Sequence, residues 1–267
     1  MNPGERLSLE SHLKALKLPS VKREYAKTAT DAAKEGVSYE EYLLRLFCAE
    51  VADRETRAFA KRIKYAKLPA HKTLADFEFP AIPSLDPMRV HRLASCEFVA
   101  RRENVLLVGG NGTGKTHLAT AIAVEACRRK LSVRFFTVSQ LVEHLLEARS
   151  ERTLGRTRTL LKKVDVLVLD ELGFVPLPPS GAELLFDIVS DRYEKGSIVL
   201  TTNLPFEEWT SVLVSEPLTH AMLDRLTHHV HILEMNARSY RLSDSLKRNV
   251  TLPSGAEALG RRTQGEA

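Results

Sequence analysis

Cysteine is scarce. The 267 residues hold three, Cys48, Cys96 and Cys127, and no pair sits at CxxC spacing. Such wide spacing excludes a disulfide framework and a cysteine metal knuckle, and it fits a chain kept in a reducing, cytoplasmic compartment. Long apolar runs are missing too, since none approaches the ~18 residues that a membrane-spanning helix needs. The opening segment, MNPGERLSLE, lacks the apolar stretch of a secretion signal, so neither export nor a membrane partner is expected. Acidic residues are the minority, 34 Asp+Glu against 39 Lys+Arg, for a formal net charge of +5. That excess is mild, and it points to a polyanion partner only where the basic residues cluster. With 43% hydrophobic and 27% charged residues, the composition excludes a mostly disordered chain. No internal repeat stands out.

Residues 1–75 read as a small helical N-terminal domain suited to binding DNA or a partner. Leu7, Leu9, Leu13, Leu16 and Leu18 recur near helical spacing until Pro19 ends the pattern. Ser38, with Glu41 three residues on, precedes Tyr42, Leu43, Leu44, Leu46 and Phe47. That is a capping-box start to an amphipathic helix, expected to run to about Ala66. From Arg54 to Lys72 there are seven basic residues and one acid, Glu55. Such a run is either a solvated helix face or a phosphate-binding face, and Arg54, Arg57, Lys61, Arg62 and Lys64 are the candidate DNA contacts. Pro69, Pro80, Pro83 and Pro87 punctuate the next stretch, so residues 76–88 are expected to form a linker.

Residues 89–250 alternate short apolar runs with helical stretches. Strands are expected at 105–108, 133–136, 166–169 and 198–202. None alternates cleanly, as for strands covered on both faces of a parallel sheet, and the order implies a doubly wound α/β domain. The Gly- and charge-rich tail, 251–267, is expected to be disordered.

The first strand leads into Gly109-Gly110-Asn111-Gly112-Thr113-Gly114-Lys115-Thr116, a GxxxxGK(S/T) match, and a helical run from His117 follows. Glycines let backbone N–H groups converge on phosphate oxygens, and the helix start adds donors and partial positive charge. Lys115 can reach the β- and γ-phosphates, and the Thr116 hydroxyl can ligate Mg2+. The strand at 166–169 ends in Asp170 and Glu171. Beside the phosphate loop, Asp170 would hold the metal and Glu171 would orient an attacking water, which favours hydrolysis over transfer to a second substrate. The strand at 198–202 ends in Asn203, placed either to contact the γ-phosphate or lytic water or to start a turn before Pro205.

These elements, carried by GGNGTGKTHLA (109–119), VDVLVLDELG (164–173), DRYEKGSIVLTTNLPFEEW (191–209) and MLDRL (222–226), resemble an AAA+ ATPase. The closer resemblance is to the group that holds the helicase loader DnaC and the insertion-sequence transposition helper IstB. The N-terminal LKALKLPSVKREY and TLADFEF (73–79) look like the IstB form. The resemblance implies a P-loop NTPase core, a parallel sheet flanked by helices, behind the small helical domain. It implies ATP and magnesium as cofactors, Asn203 as a first sensor, and Arg225 as an arginine finger serving a neighbouring protomer. Arg192 is a further candidate for the subunit interface. It also implies an extra helix after the second strand that lines a nucleic-acid channel, where Arg149, Arg152, Arg156 and Arg158 would grip a backbone without reading bases. The implied activity is ATP-dependent assembly on double-stranded DNA, as a homo-oligomer that assists a transposase.

Several alternatives stay open. A helicase loader would run the same chemistry with a different N-terminal partner. A small-molecule kinase is opposed by Glu171 and the basic segments, and an ATP-binding protein without hydrolysis by the intact Lys115, Thr116, Asp170 and Glu171. Arg225 could instead pair with Asp224, and the arginines of 149–158 could be a solvated loop. The loop departs from many relatives in carrying Gly110 and Asn111 where they have proline, both at wildcard positions. Too few residues follow Val230 for a full helical lid, so a second-sensor arginine is not identifiable beyond Arg238 or Arg241, and a lidless core should turn over slowly unless assembled. His228, His229 and His231 resemble a metal cluster, but adjacent side chains diverge on a strand or helix, so no metal site is expected there. Trp209 reads as a packing anchor.

Overall fold

The computed structural model describes residues 2–236. The chain divides into two units, Met1–Ala66 and a second beginning at Lys67. The first holds three helices, α1 (Pro3–Ala15), α2 (Pro19–Glu35) and α3 (Tyr39–Ala66). α1 ends at Ala15, short of the expected stop at Pro19, with Lys17 in the left-handed region (φ 56°), and Pro19 instead opens α2, a helix that the leucine pattern did not announce. Its missing N–H is no loss at a first helical position. Leu13, Val21, Tyr25 and Leu46 form the core of this unit. Ser38 accepts the Glu41 N–H at 3.2 Å at the start of α3, as the capping pattern predicts.

The first turn of α2 is capped from a distance. Its N-cap residue, Leu18, offers no side-chain acceptor. The buried Glu50 carboxylate of α3 accepts from the N–H groups of Ser20 (2.8 Å) and Val21 (3.2 Å), supplying the negative charge and acceptors that a helix N-terminus lacks. Arg54 and Arg57 close on the same carboxylate, at 2.8 and 3.6 Å. Two of the residues expected to face DNA therefore also neutralise, from within α3, the carboxylate that caps α2.

The second unit begins with an extended segment whose prolines suggested a linker. Phe77, Ile82 and Leu85 are buried within it, so the stretch belongs to the packing of this unit. Prolines interrupt helix and strand there, but the apolar side chains between them still seek cover. Then come α4 (Pro87–Ala94), α5 (Glu97–Ala100), β1 (Asn104–Val108), α6 (Lys115–Arg128), β2 (Val133–Thr137), α7 (Val138–Ser150), α8 (Leu154–Lys162), β3 (Val166–Leu172), α9 (Pro179–Arg192), β4 (Ser197–Thr202), α10 (Thr210–Leu213), α11 (Glu216–Thr227) and β5 (Val230–Glu234). Among the described residues, the five strands form one parallel sheet in the order β2-β3-β4-β1-β5. Four were expected. β5 was missed because its histidines and glutamate break the apolar run.

Parallel pairing puts every strand's C-terminal end on one edge of the sheet, and the order reverses around β1, the position where α/β folds open a crevice. Helices cover the sheet, and Leu106, Leu167, Leu169 and Leu200 lie at its buried centre. The expected continuous helix after β2 is instead broken. α7 ends at Ser150, Arg152 turns into the left-handed region (φ 59°), and α8 restarts at Leu154. No described helix is long and apolar enough to cross a membrane. Arg238, Arg241 and the tail 251–267 lie outside the described residues.

Candidate functional site

The loop between β1 and α6 is shaped by close approach and handedness. A Cβ on Gly109 would lie 2.4 Å from the Met235 carbonyl oxygen, because β5 passes directly against the loop. Gly114 caps α6 at φ +85°, a conformation that side chains resist. Thr113 folds its hydroxyl onto the Gly110 carbonyl at 2.9 Å. The Lys115 ammonium curls over the same loop, donating to the Gly109 and Gly110 carbonyls at 2.6 and 2.7 Å. The N-terminus of α6 and an ammonium thus face one concavity, the arrangement that receives a phosphate chain.

The neighbouring strand end supplies the acids. Asp170 is 2% exposed, and its Oδ1 accepts hydroxyls from Thr116 (3.1 Å) and Thr201 (2.6 Å). A buried carboxylate held by hydroxyls beside a phosphate cradle suits a hard, oxygen-seeking cation such as magnesium. Glu171 follows with φ +63° and an exposed side chain. The cause is visible in the ladder. β3 and β4 keep register to Leu169–Leu200 and resume at Leu172–Thr202, so β3 carries one extra residue between them, and such a bulge re-aims side chains at a strand's end.

A cavity of about 360 Å³ unites these parts. It is lined by the loop from Asn111 to His117, by Glu171 and Asn203, and on one side by Lys72, Asp76 and Phe77. That side wall was not expected to matter. His117 Nε2 lies 3.0 Å from the Thr73 carbonyl oxygen, and its ring meets Phe77 edge-on at 5.2 Å. Thr73 donates its hydroxyl to Asp76 at 2.7 Å, which holds that carboxyl below the usual range. The signal in the sequence was the segment TLADFEF (73–79), which carries part of the family resemblance but by itself gives no contact with the phosphate loop.

Other expected residues lie elsewhere. Arg225 sits near the C-terminal end of α11, on the edge where β5 begins, opposite the phosphate loop. It donates to the Ala221 carbonyl at 2.8 Å, and its guanidinium stacks 4.6 Å from the Phe186 ring centre. Lys61, Lys64, Arg149, Arg152 and Arg156 are exposed, and Arg62 is half-buried.

Three expectations need correction. Arg192 is not at a surface. It is 2% exposed and donates to the carbonyls of Leu161, Val164, Asp165 and Ser197, with burial lowering its pKa to about 10. It staples the N-terminal ends of β3 and β4, in space that a side chain on Gly196 would fill. Arg158 is committed within the chain, to Asp191 (2.8 Å) and Asp187 (2.9 Å) of α9. His228 and His229 do not diverge. Their rings are 4.1 Å apart where α11 gives way to β5, and Glu194 joins them at the surface within 4.8 Å. Trp209 is buried, as expected, with its indole N–H 3.4 Å from the Leu204 carbonyl.

A family model described as IstB-like ATP binding protein matches residues 11–248. The chain is 39% identical over 229 residues to the ATP-binding protein of insertion sequence IS5376 from Geobacillus stearothermophilus, spanning 86% of this chain and 91% of that one. It is 38% identical over 242 residues to the corresponding protein of IS21 from Pseudomonas aeruginosa, spanning 91% of each. Among solved structures it resembles AMPPCP-bound DnaA from Aquifex aeolicus, with a TM-score of 0.55, 24% identity, and 70% of this chain against 59% of that one. It also resembles DnaI, with a TM-score of 0.52, 24% identity, and 62% of this chain against 91% of that one. The structural likeness concerns the fold alone, a parallel sheet flanked by helices.

Proposed function

The chain belongs to the IstB-like ATP binding protein family, and from that premise we propose that it is a magnesium-dependent ATPase that oligomerises on double-stranded DNA and assists a transposase in insertion-sequence transposition. One observation carries the reading: the phosphate cradle of residues 109–116 lies against Asp170 and Glu171, the pair that hydrolysis requires. The loop's N–H groups and Lys115 would bind and orient the triphosphate. Thr116 and Asp170 would hold magnesium, which when bound supplies charge neutralisation at the β- and γ-phosphates. Glu171, exposed at the cavity, would orient the attacking water, and Asn203 would steady it. Arg225 lies on the far edge of the sheet, so it can act only on a neighbour's nucleotide, which supports an assembled active form. The exposed Lys61, Lys64, Arg149, Arg152 and Arg156 offer positive charge for a sequence-independent backbone grip. The insertion-sequence relatives favour transposition over helicase loading.

Gel shift of random duplex DNA with and without ATP tests the coupling, and pull-down with an insertion-sequence transposase tests the partner. ATP should raise apparent DNA affinity about tenfold, a coupling of ordinary size. Lys115→Ala should weaken ATP binding by about 100-fold, by loss of a charge-assisted phosphate contact, and abolish the ATP effect on DNA. Equal DNA binding with and without ATP in the wild type would sink the proposal.

A further inference from the structure

We propose that Thr201 is a positioning residue that locks Asp170 and Glu171 into one working geometry. The inference rests on reading the site as a magnesium-dependent ATPase. Thr201 stands on β4, fully buried, and is no part of the loop or acid motifs. Its hydroxyl donates to Asp170 Oδ1 at 2.6 Å and accepts the Glu171 N–H at 2.9 Å. One hydroxyl offers one donor and two acceptor positions, and here both kinds of bond go to consecutive residues of the adjacent strand.

The place of these bonds is what gives them a role. β3 and β4 lose register between Leu169 and Leu172, so on the β4 side the regular ladder holds neither Asp170 nor Glu171, and on the β2 side it ends at the Thr137–Asp170 pair. Glu171 also adopts φ +63°, which a non-glycine residue keeps only when its surroundings over-determine it. The Thr201 hydroxyl supplies that constraint at the strand end where the ladder fails. It also orients the carboxylate oxygen that the Thr116 hydroxyl shares at 3.1 Å. If Thr116 is drawn to a metal, Thr201 is the donor that stays on Asp170. The β-branched side chain has few rotamers in a strand, so the hydroxyl is aimed before any ligand arrives.

Thr201→Val keeps the shape and removes the hydroxyl, Thr201→Ser keeps the hydroxyl, and Thr201→Ala serves if the valine variant does not fold. ATP affinity is measured in EDTA and across a magnesium titration, and hydrolysis is followed on the full chain with duplex DNA. With the hydroxyl gone, ATP affinity in EDTA should stay within about twofold, because the cradle is untouched. The magnesium midpoint should rise about tenfold, and kcat should fall about 30-fold or more. Thr201→Ser should recover both to within about threefold. A hydroxyl-free variant with the wild-type magnesium midpoint and kcat would overturn the assignment, as would a serine variant as impaired as the valine one, which would mean a packing role. Wild-type chain whose ATP affinity ignores magnesium would overturn the site reading itself, a result visible before any variant is made.

Discussion

Single residues in this chain do work that their type does not announce. Glu50 looks like one more acid on a charged helix, yet it is buried and caps a helix that has no cap of its own. Burial pushes its pKa up, but Arg54 and the N–H groups of Ser20 and Val21 more than offset this, and the net position is below the ordinary value. A carboxylate depressed in the folded state stabilises it fully above the unfolded pKa of about 4.3, and the contribution is lost as pH falls through the folded value. Glu50→Gln should therefore cost about 1–3 kcal/mol at neutral pH, the penalty for unmaking charge-assisted bonds to buried donors. It should also flatten the acid limb of stability between about pH 5 and 3. Hydrogen exchange at the Ser20 and Val21 amides is the local readout, and unchanged protection would refute the cap. Arg192 makes the same point differently, since a guanidinium expected at a surface closes strand ends from inside.

At the scale of elements, the site is made where regular structure gives way. The cradle forms because β1 stops at Val108 and α6 starts at Lys115, leaving glycines to turn between them. The acids are presented because β3 bulges against β4. Two adjacent glycines separate shape from composition. A methyl at Gly109 would strike the Met235 carbonyl, whereas one at Gly110 meets nothing within 4 Å. Gly109→Ala should weaken ATP binding by about tenfold or destabilise the chain by about 1–3 kcal/mol, the range for overpacking. Gly110→Ala should stay within about 0.5 kcal/mol. Calorimetric ATP titration with a thermal melt reads both, and equal behaviour of the pair would contradict the close packing of β5 on the loop.

At the scale of the whole molecule, the sheet keeps Arg225 and the phosphate loop on opposite edges. A protomer that hydrolyses ATP with this arginine would need a neighbour. Lys115→Ala protein should bind ATP weakly but keeps Arg225, and Arg225→Ala protein has the reverse defect. Mixed with DNA, the two should recover hydrolysis at least about tenfold above the sum of the separate rates, a small part of the about 10³–10⁵ a finger can contribute. A mixture no faster than its parts would refute the role in trans.

The phosphate loop, Asp170, Glu171 and four of the five strands were legible in the sequence because each is a local arrangement. Glycine turns, strand ends and helix starts follow from neighbours a few residues apart, and the chain order alone sets their chemistry. The tertiary structure decided what depends on distant partners. It put the Thr201 hydroxyl on Asp170, the Phe77 wall beside His117, Arg158 on α9, and Arg192 among four carbonyls. The physical reason is that a polar side chain's role is set by whatever it meets once water is excluded, and residues on different elements meet only when the fold brings them together.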